Sequence, residues 1–94
     1  MGAVAKAIDN KLRARLTPAR LSIEDESARH RGHAGHREGG ESHFRVEIVS
    51  AAFEGQSRVA RQRMVYGVLK DEFAAGLHAL ALTTLTPAED AAKT

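Results

Sequence analysis

Apolar residues recur every four positions in the first part of the chain. Val4, Ile8, Leu12 and Leu16 lie at this spacing, and mostly charged or small residues separate them. A period close to 3.6 predicts an amphipathic helix that covers one face of a core. Pro18 cannot continue a helix, so we expect the helix to end before it.

In the next segment, apolar and polar residues alternate with a period of two. Leu21 and Ile23 alternate with Ser22 and Glu24, and a second alternating stretch covers residues 44–48. Strict alternation is typical of strands that bury one face. The two strands are joined by a segment too rich in Gly, Arg and Glu to bury anything, so we expect an antiparallel hairpin with a long loop.

Helical spacing returns after the Glu54 Gly55 turn, and Ser57 can cap a helix that runs to about Phe73. Gly76 is suited to the end of that helix. A largely apolar third strand from about Leu77 to Thr84 is typical of a central strand. Thr86 Pro87 Ala88 Glu89 is a capping box that opens a short C-terminal helix. The expected buried side of the long helix is Val59, Met64, Val65, Val68, Leu69 and Phe73.

The order helix, strand, strand, helix, strand, helix predicts one α/β domain over residues 1–94. We expect a core over about 4–89, a flexible loop over about 28–42 and a tail over 90–94, with residues 29–41 of the loop mobile in the isolated protein. Strands two and three are joined by a helix of about sixteen residues, which is the connection that parallel pairing needs. Parallel strands start at one edge, so His78 is expected where the loop emerges.

Composition limits the function. The chain has 94 residues, 43% of them hydrophobic, and no Cys, which excludes disulfides, a thiolate nucleophile and thiolate metal ligands of its own. No apolar run reaches the roughly 20 residues that span a membrane, and no signal-peptide core precedes residue 14. We therefore expect a cytoplasmic protein without a membrane partner. A net charge of +2 permits nucleic-acid contact without requiring it.

Four of the five histidines fall within residues 29–43. His30, His33 and His36 lack the fixed spacing of zinc motifs, so from the residues alone a solvated loop is the simpler interpretation. For His43, at the start of a strand beside Phe44, we favour a structural role. A lone histidine such as His78 is more often a surface residue than a ligand.

Two other functions can be weighed from the residues. Four cations lie around the second helix, namely Arg58, Arg61, Arg63 and Lys70. They could contact DNA, although basic residues on a helix are usually just solvated, and the turn at 53–57 lacks the GXXG loop that KH domains use. No nucleophile with a base, phosphate loop or carboxylate pair is present, so we expect no enzyme.

Several motifs together resemble the BolA family, over about residues 8–89. They are AspGluSer at 25–27 with a histidine shortly after it, SerHisPheArgVal at 42–46, IleValSer at 48–50, PheGluGly at 53–55, Arg61 to Arg63 followed by MetValTyr, LeuHisAlaLeu at 77–80 and ThrProAlaGlu at 86–89. The resemblance implies an αββαβ fold like the class II KH domain, with a three-stranded mixed sheet packed by helices and a short C-terminal helix.

The resemblance also implies a partner. BolA proteins bind a bridging [2Fe-2S] cluster together with monothiol glutaredoxins and glutathione, and they have a debated role in transcriptional regulation. By this likeness His78 matches the cluster-ligand histidine and His30 the loop ligand, with His33 and His36 as alternatives. We expect no cofactor in the isolated chain, which would be a monomer or weak homodimer. A DNA-binding regulator is the alternative function.

The chain departs from the family pattern at two further positions. Gln62 stands where the family usually has a histidine between two arginines, and Asp90 replaces a frequent aromatic, which predicts weaker anchoring of the C-terminus. The chemistry still fits the partnership. Two imidazoles can replace two thiolates on an iron-sulfur cluster. A chain with histidines and no Cys can therefore complete a cluster whose sulfur ligands come from another protein.

Overall fold

The computed structural model describes residues 2–26 and 43–93. The predicted order of elements is confirmed, with a 3₁₀ turn added and the second helix divided. In chain order the elements are α1 (Ala3–Leu16), β1 (Arg20–Asp25), β2 (His43–Val49), the 3₁₀ turn (Ala51–Phe53), α2 (Arg58–Val68), α3 (Lys70–Ala75), β3 (Ala79–Leu85) and α4 (Pro87–Ala92). Among these described elements, no helix is long and apolar enough to cross a bilayer.

The three strands form one mixed sheet in the order β1-β2-β3. β1 is antiparallel to β2, and β2 is parallel to β3 with His43 opposite Ala79. The predicted parallel pairing is therefore confirmed. The prediction that the third strand is central was wrong, because β2 holds that place. β3 has an apolar sequence since leucines on its inner face alternate with alanines, and alanine is small enough to remain on an exposed face.

The helices α1, α2 and α3 cover one face of this sheet. Ile8, Leu12, Val46, Ile48 and Val65 are fully buried between the layers. Burial of Ile8, Leu12 and Leu16 at four-residue spacing confirms the helix period seen in the sequence. The core is therefore one layer of helices packed on one face of the sheet.

The second helix differs from its prediction in two respects. It bends at Leu69, where α2 gives way to α3, although hydrogen bonds from Leu69 to Val65 and from Phe73 to Leu69 continue through the bend. Val59, expected to be buried, is 56% exposed. Six residues separate Val59 from the buried Val65, which places their side chains about 120° apart around a helix.

Ser50 joins the ends of two elements in the core. Its buried hydroxyl donates to the Leu16 carbonyl at 2.5 Å, at the end of α1, and accepts from the Ala52 amide at 3.1 Å. A buried carbonyl without a partner costs about 1–3 kcal/mol, so this contact fixes the end of α1 against the sheet. The IleValSer motif thus has a structural role at its serine.

The C-terminal helix is fixed by its cap and by ion pairs. The predicted capping box is present, with the Thr86 hydroxyl and the Glu89 carboxylate each accepting from the other residue's backbone amide. Asp90 accepts from Arg20 at 2.6 Å, and Lys93 donates to Glu47 at 2.9 Å. Asp90 thus makes a charged contact with β1, and whether this anchors the C-terminus less strongly than an aromatic residue stays a prediction. α4 also continues to Ala92, past the predicted start of the tail.

Candidate functional site

Two histidines lie together at the edge of the sheet where β2 and β3 start. His78 is exposed and directly precedes β3, and the half-buried His43 is the first residue of β2. Their ring centroids are 5.1 Å apart, with the ring planes tilted by 53°. The parallel register produces this contact, because the residue after His78 is the partner of His43 in the ladder.

The loop histidines His30, His33 and His36 lie outside the described residues. The placement of a second ligand among them therefore stays a prediction, as does the mobility of residues 29–41. The contact between His43 and His78 was not predicted, and the structural role expected of His43 stays a prediction. The signal was available, because parallel pairing already placed the starts of strands two and three side by side.

Ion pairing balances the charge beside the histidine pair. Arg45, two residues after His43 and so on the same face of β2, donates to the Glu26 carboxylate at 3.0 Å. The Glu26 amide donates to the His43 carbonyl at 2.8 Å, which closes the β1–β2 ladder at this end. Arg45 and Glu26 therefore neutralise each other among the described residues beside the histidines.

An open apolar groove of about 640 Å³ lies on the other side of His78. Tyr66, which is 40% exposed, packs edge-on against Phe73 with ring centroids 5.6 Å apart. The groove runs between α2, α3 and the start of β3, and its remaining lining residues are Gly67, Lys70, Ala79 and Leu80. An exposed aromatic beside an exposed histidine is typical of a contact surface.

The four predicted DNA-contacting cations are placed differently. Arg61 is engaged within the fold: its guanidinium donates to both Glu89 oxygens, at 2.6 and 3.2 Å, and to the carbonyls of Gln56 and Thr84. Its side chain is 13% exposed. Arg58, Arg63 and Lys70 are exposed and make no ion pair with another described residue. Across residues 2–26 and 43–93, no three metal-ligating side chains cluster.

The Arg61 contact predicts an acid-side change in stability. The hydrogen bonds from the Arg61 guanidinium and then from the Thr86 amide lower the pKa of Glu89 to about 2, from 4.5. A carboxyl with a lower pKa in the folded state stabilises the fold above its unfolded pKa. This contribution should be lost as the pH falls from about 4.5 to about 2.

Urea unfolding between pH 5 and pH 2 tests this expectation. Glu89→Gln keeps the side-chain length and the capping contact but cannot ionise, so its stability should fall less over this interval than that of the wild type. Glu47 and Asp90 also have lowered pKa values, through Lys93 and Arg20 respectively, and they retain their share of the loss in both proteins. Equal losses in the two proteins would contradict the prediction.

A comparison with protein families identifies the fold. The model of the family described as BolA-like protein matches residues 12–89, which is most of the chain. The chain belongs to the BolA family. Its relatives include "Protein BOLA1, chloroplastic" of Arabidopsis thaliana, which is 46% identical over 91 residues. That match covers 95% of this chain and 57% of the relative, so the chain spans just over half of that protein.

Two further BolA proteins extend the comparison. The "DNA-binding transcriptional regulator BolA" of Escherichia coli K12 is 43% identical over 83 residues, covering 88% of this chain and 75% of the relative. The solved BolA domain of SufE1 from Arabidopsis thaliana superposes with a TM-score of 0.86 at 45% identity, covering 95% of this chain and 98% of that domain. The resemblance read from the motifs is thus confirmed.

Proposed function

We propose that this BolA protein is a non-enzymatic partner of a monothiol glutaredoxin. The two proteins together hold a bridging [2Fe-2S] cluster, for which His78 and a second histidine are this chain's ligands, while the glutaredoxin cysteine and its bound glutathione supply sulfur. The cluster is cargo or a one-electron redox group in iron-sulfur trafficking or iron and redox regulation. The cytoplasmic location stays a prediction.

One observation carries this proposal: an exposed histidine, close to a second histidine, in a chain without cysteine. The donor set fits the cluster, because imidazoles can replace two of its four thiolates and this chain offers imidazoles alone. The same set does not fit a structural zinc site, which needs four ligands. Residues 2–26 and 43–93 bring together no third ligand.

The groove beside His78 fits the partner's position. A protein that shares a metal centre with His78 must approach to within a few bond lengths of that imidazole. It would therefore bury the adjacent surface of Tyr66, Phe73 and Leu80. Exposed aromatics at the centre of an interface carry a large share of its binding energy.

Spectroscopy of the mixed proteins tests the proposal. Adding this protein to a monothiol glutaredoxin loaded with a [2Fe-2S] cluster should change the visible circular dichroism, with saturation at one chain per glutaredoxin. Size-exclusion chromatography should show a heterodimer that retains iron and acid-labile sulfide. Unchanged spectra together with separate elution of the two proteins would contradict the proposal.

The contribution of the groove can be measured separately. Tyr66→Ala should weaken the heterodimer at least about tenfold, since truncating a central aromatic costs about 1.4 kcal/mol or more. Val59→Ala is the matched control, because Val59 is the other large exposed apolar side chain of α2 and lies two helical turns from Tyr66. It should change the affinity less than about twofold. Calorimetric titration gives both values, and equal affinities of the two variants would exclude the groove.

DNA binding is the second candidate function. Arg58, Arg63 and Lys70 are exposed, and the E. coli relative is named as a DNA-binding regulator. Three phosphate contacts would give a slope of about −3 for log affinity against log salt concentration. Anisotropy titrations over a range of salt concentrations should show this slope, and replacement of the three cations by Ala should flatten it. A flat wild-type dependence would reject DNA as a ligand.

A further inference from the structure

The two described histidines form a pair, although a strand residue was not among the expected ligands. We propose that His43 and His78 chelate one metal ion, so that His43 is the second imidazole donor of this chain. The proposal rests on the proposed function for the identity of the metal centre, which it deepens by naming a ligand in β2. For the isolated protein, it assigns a site for a divalent transition-metal ion.

The separation of the rings is compatible with this role, and it also falls within the range of about 4.5–7 Å found for packed ring pairs. A tetrahedral ion bound at about 2.1 Å by one nitrogen of each ring places the two ring centres about 5 Å apart. The observed centroid separation is 5.1 Å. The ring planes are tilted by 53°, so the two rings are not stacked in parallel.

One ring is carried by paired backbone, and the other by the residue directly before it. His43 opens β2, and the residue after His78 is its ladder partner. Further along, the pairing continues from Phe44 opposite Leu80 through to Val49 opposite Leu85. The sheet therefore fixes the spacing of the two backbone positions before any ion binds. A preorganised pair loses less conformational entropy on binding than donors that must first be ordered.

The number of donors also fits. Two imidazoles leave the other coordination positions of an ion open, to water in the isolated protein or to a partner's ligands in a complex. In one established type of [2Fe-2S] centre, two histidines bind the same iron and the thiolates bind the other. A histidine pair on this chain, together with sulfur ligands from a glutaredoxin, would divide the ligands between the two irons in the same way.

The surroundings leave room for an ion. His78 is exposed and His43 half-buried, so the pair lies at the surface. The neighbouring Arg45 and Glu26 neutralise each other. The groove of Tyr66 and Phe73 begins at His78, so a partner seated there would carry its own ligands to the same place.

Metal titration of the isolated protein tests the pair. To remove the loop donors, the background carries His30→Ala, His33→Ala and His36→Ala. Zn²⁺ binding is measured by calorimetry, and Co²⁺ binding by visible absorption. We expect one ion per chain, and we expect His43→Ala and His78→Ala each to lower the affinity at least tenfold, because either change removes the chelate.

Two conservative variants separate a ligand from a packing residue. His43→Gln retains size and hydrogen bonding, and should lose the ion as completely as His43→Ala while retaining the thermal stability of the background. His43→Cys replaces the imidazole with another metal ligand, a thiolate. It should therefore bind Co²⁺, as the background protein does, and add a sulfur-to-cobalt charge-transfer band. Metal affinity that is unchanged in His43→Gln, or a background protein that binds no ion, overturns the proposal.

The glutaredoxin complex distinguishes failure of this proposal from failure of the proposed function. If His43 is the second donor, His43→Gln abolishes the cluster-dependent dichroism change and the triple loop variant retains it. If His78→Ala abolishes the change while His43→Gln does not, the chelate is overturned and the partnership stands. If neither variant alters the cluster-dependent dichroism change, both proposals fail.

Discussion

Replacing His78 with Ala is expected to abolish the change in visible circular dichroism that follows addition of this BolA protein to a [2Fe-2S]-loaded monothiol glutaredoxin. The imidazole is the fixed donor of the proposed site, and without it one iron position has no ligand from this chain. The amount of cluster that elutes at the position of the heterodimer should fall to the background measured with the loaded glutaredoxin alone. Iron and sulfide analysis after size-exclusion chromatography measures this loss.

The loss should occur without unfolding, because the His78 side chain is exposed and precedes β3 rather than packing in the core. The far-ultraviolet spectrum and the melting temperature of the variant should therefore match those of the wild type. Replacing His30 should weaken the dichroism change if a loop histidine contributes, with residual signal if His33 or His36 substitutes. Wild-type spectra and affinity in His78→Ala would exclude it as a ligand.

The second large effect concerns stability. Phe53→Ala is expected to destabilise the fold by about 3–5 kcal/mol, the usual cost of removing a buried phenylalanine side chain. Phe53 is fully buried in the turn between β2 and α2, and the Arg61 guanidinium lies 5.9 Å from its ring centroid. Such a loss is a large part of the roughly 5–15 kcal/mol by which domains are stable. Urea unfolding followed by circular dichroism measures it.

Val59→Ala is again the control, since it removes an apolar side chain that is 56% exposed. Its free energy of unfolding should change by less than about 0.5 kcal/mol. A Phe53→Ala protein that unfolds within 1 kcal/mol of the wild type would mean that this turn is not part of the cooperative core. The PheGluGly motif would then need an explanation other than packing.

The kinds of secondary structure in this protein could be predicted from sequence because their causes are local. The four-residue period of α1, the alternation of β1 and β2, the Ser57 cap and the capping box of α4 each depend on residues within one or two turns. Parallel pairing of β2 and β3 also followed, since a helical crossover is the usual way to join parallel neighbours. His78 was placed correctly at the sheet edge for this reason.

The errors have long-range causes. A run of leucine and alanine can form either a central strand or an edge strand. The sequence of β3 therefore did not show that β2, rather than β3, pairs with both of the other strands. The contact of Asp90 with Arg20, seventy residues away, was not predicted, because the fold brings the two side chains together. Arg61 looked like a solvated cation until Glu89, twenty-eight residues on, accepted its hydrogen bonds.

The candidate site divides in the same way. The sequence by itself determined that this chain can offer imidazoles but no thiolates to a metal centre, because it has five histidines and no cysteine. It also determined which edge of the sheet carries His78. Only the tertiary structure brought the His43 ring to 5.1 Å from that ring, because the contact depends on the register between β2 and β3, and the two histidines are 35 positions apart in the chain (78 − 43). Local patterns determine which residues form a strand, whereas side-chain packing across the whole core determines the register between strands.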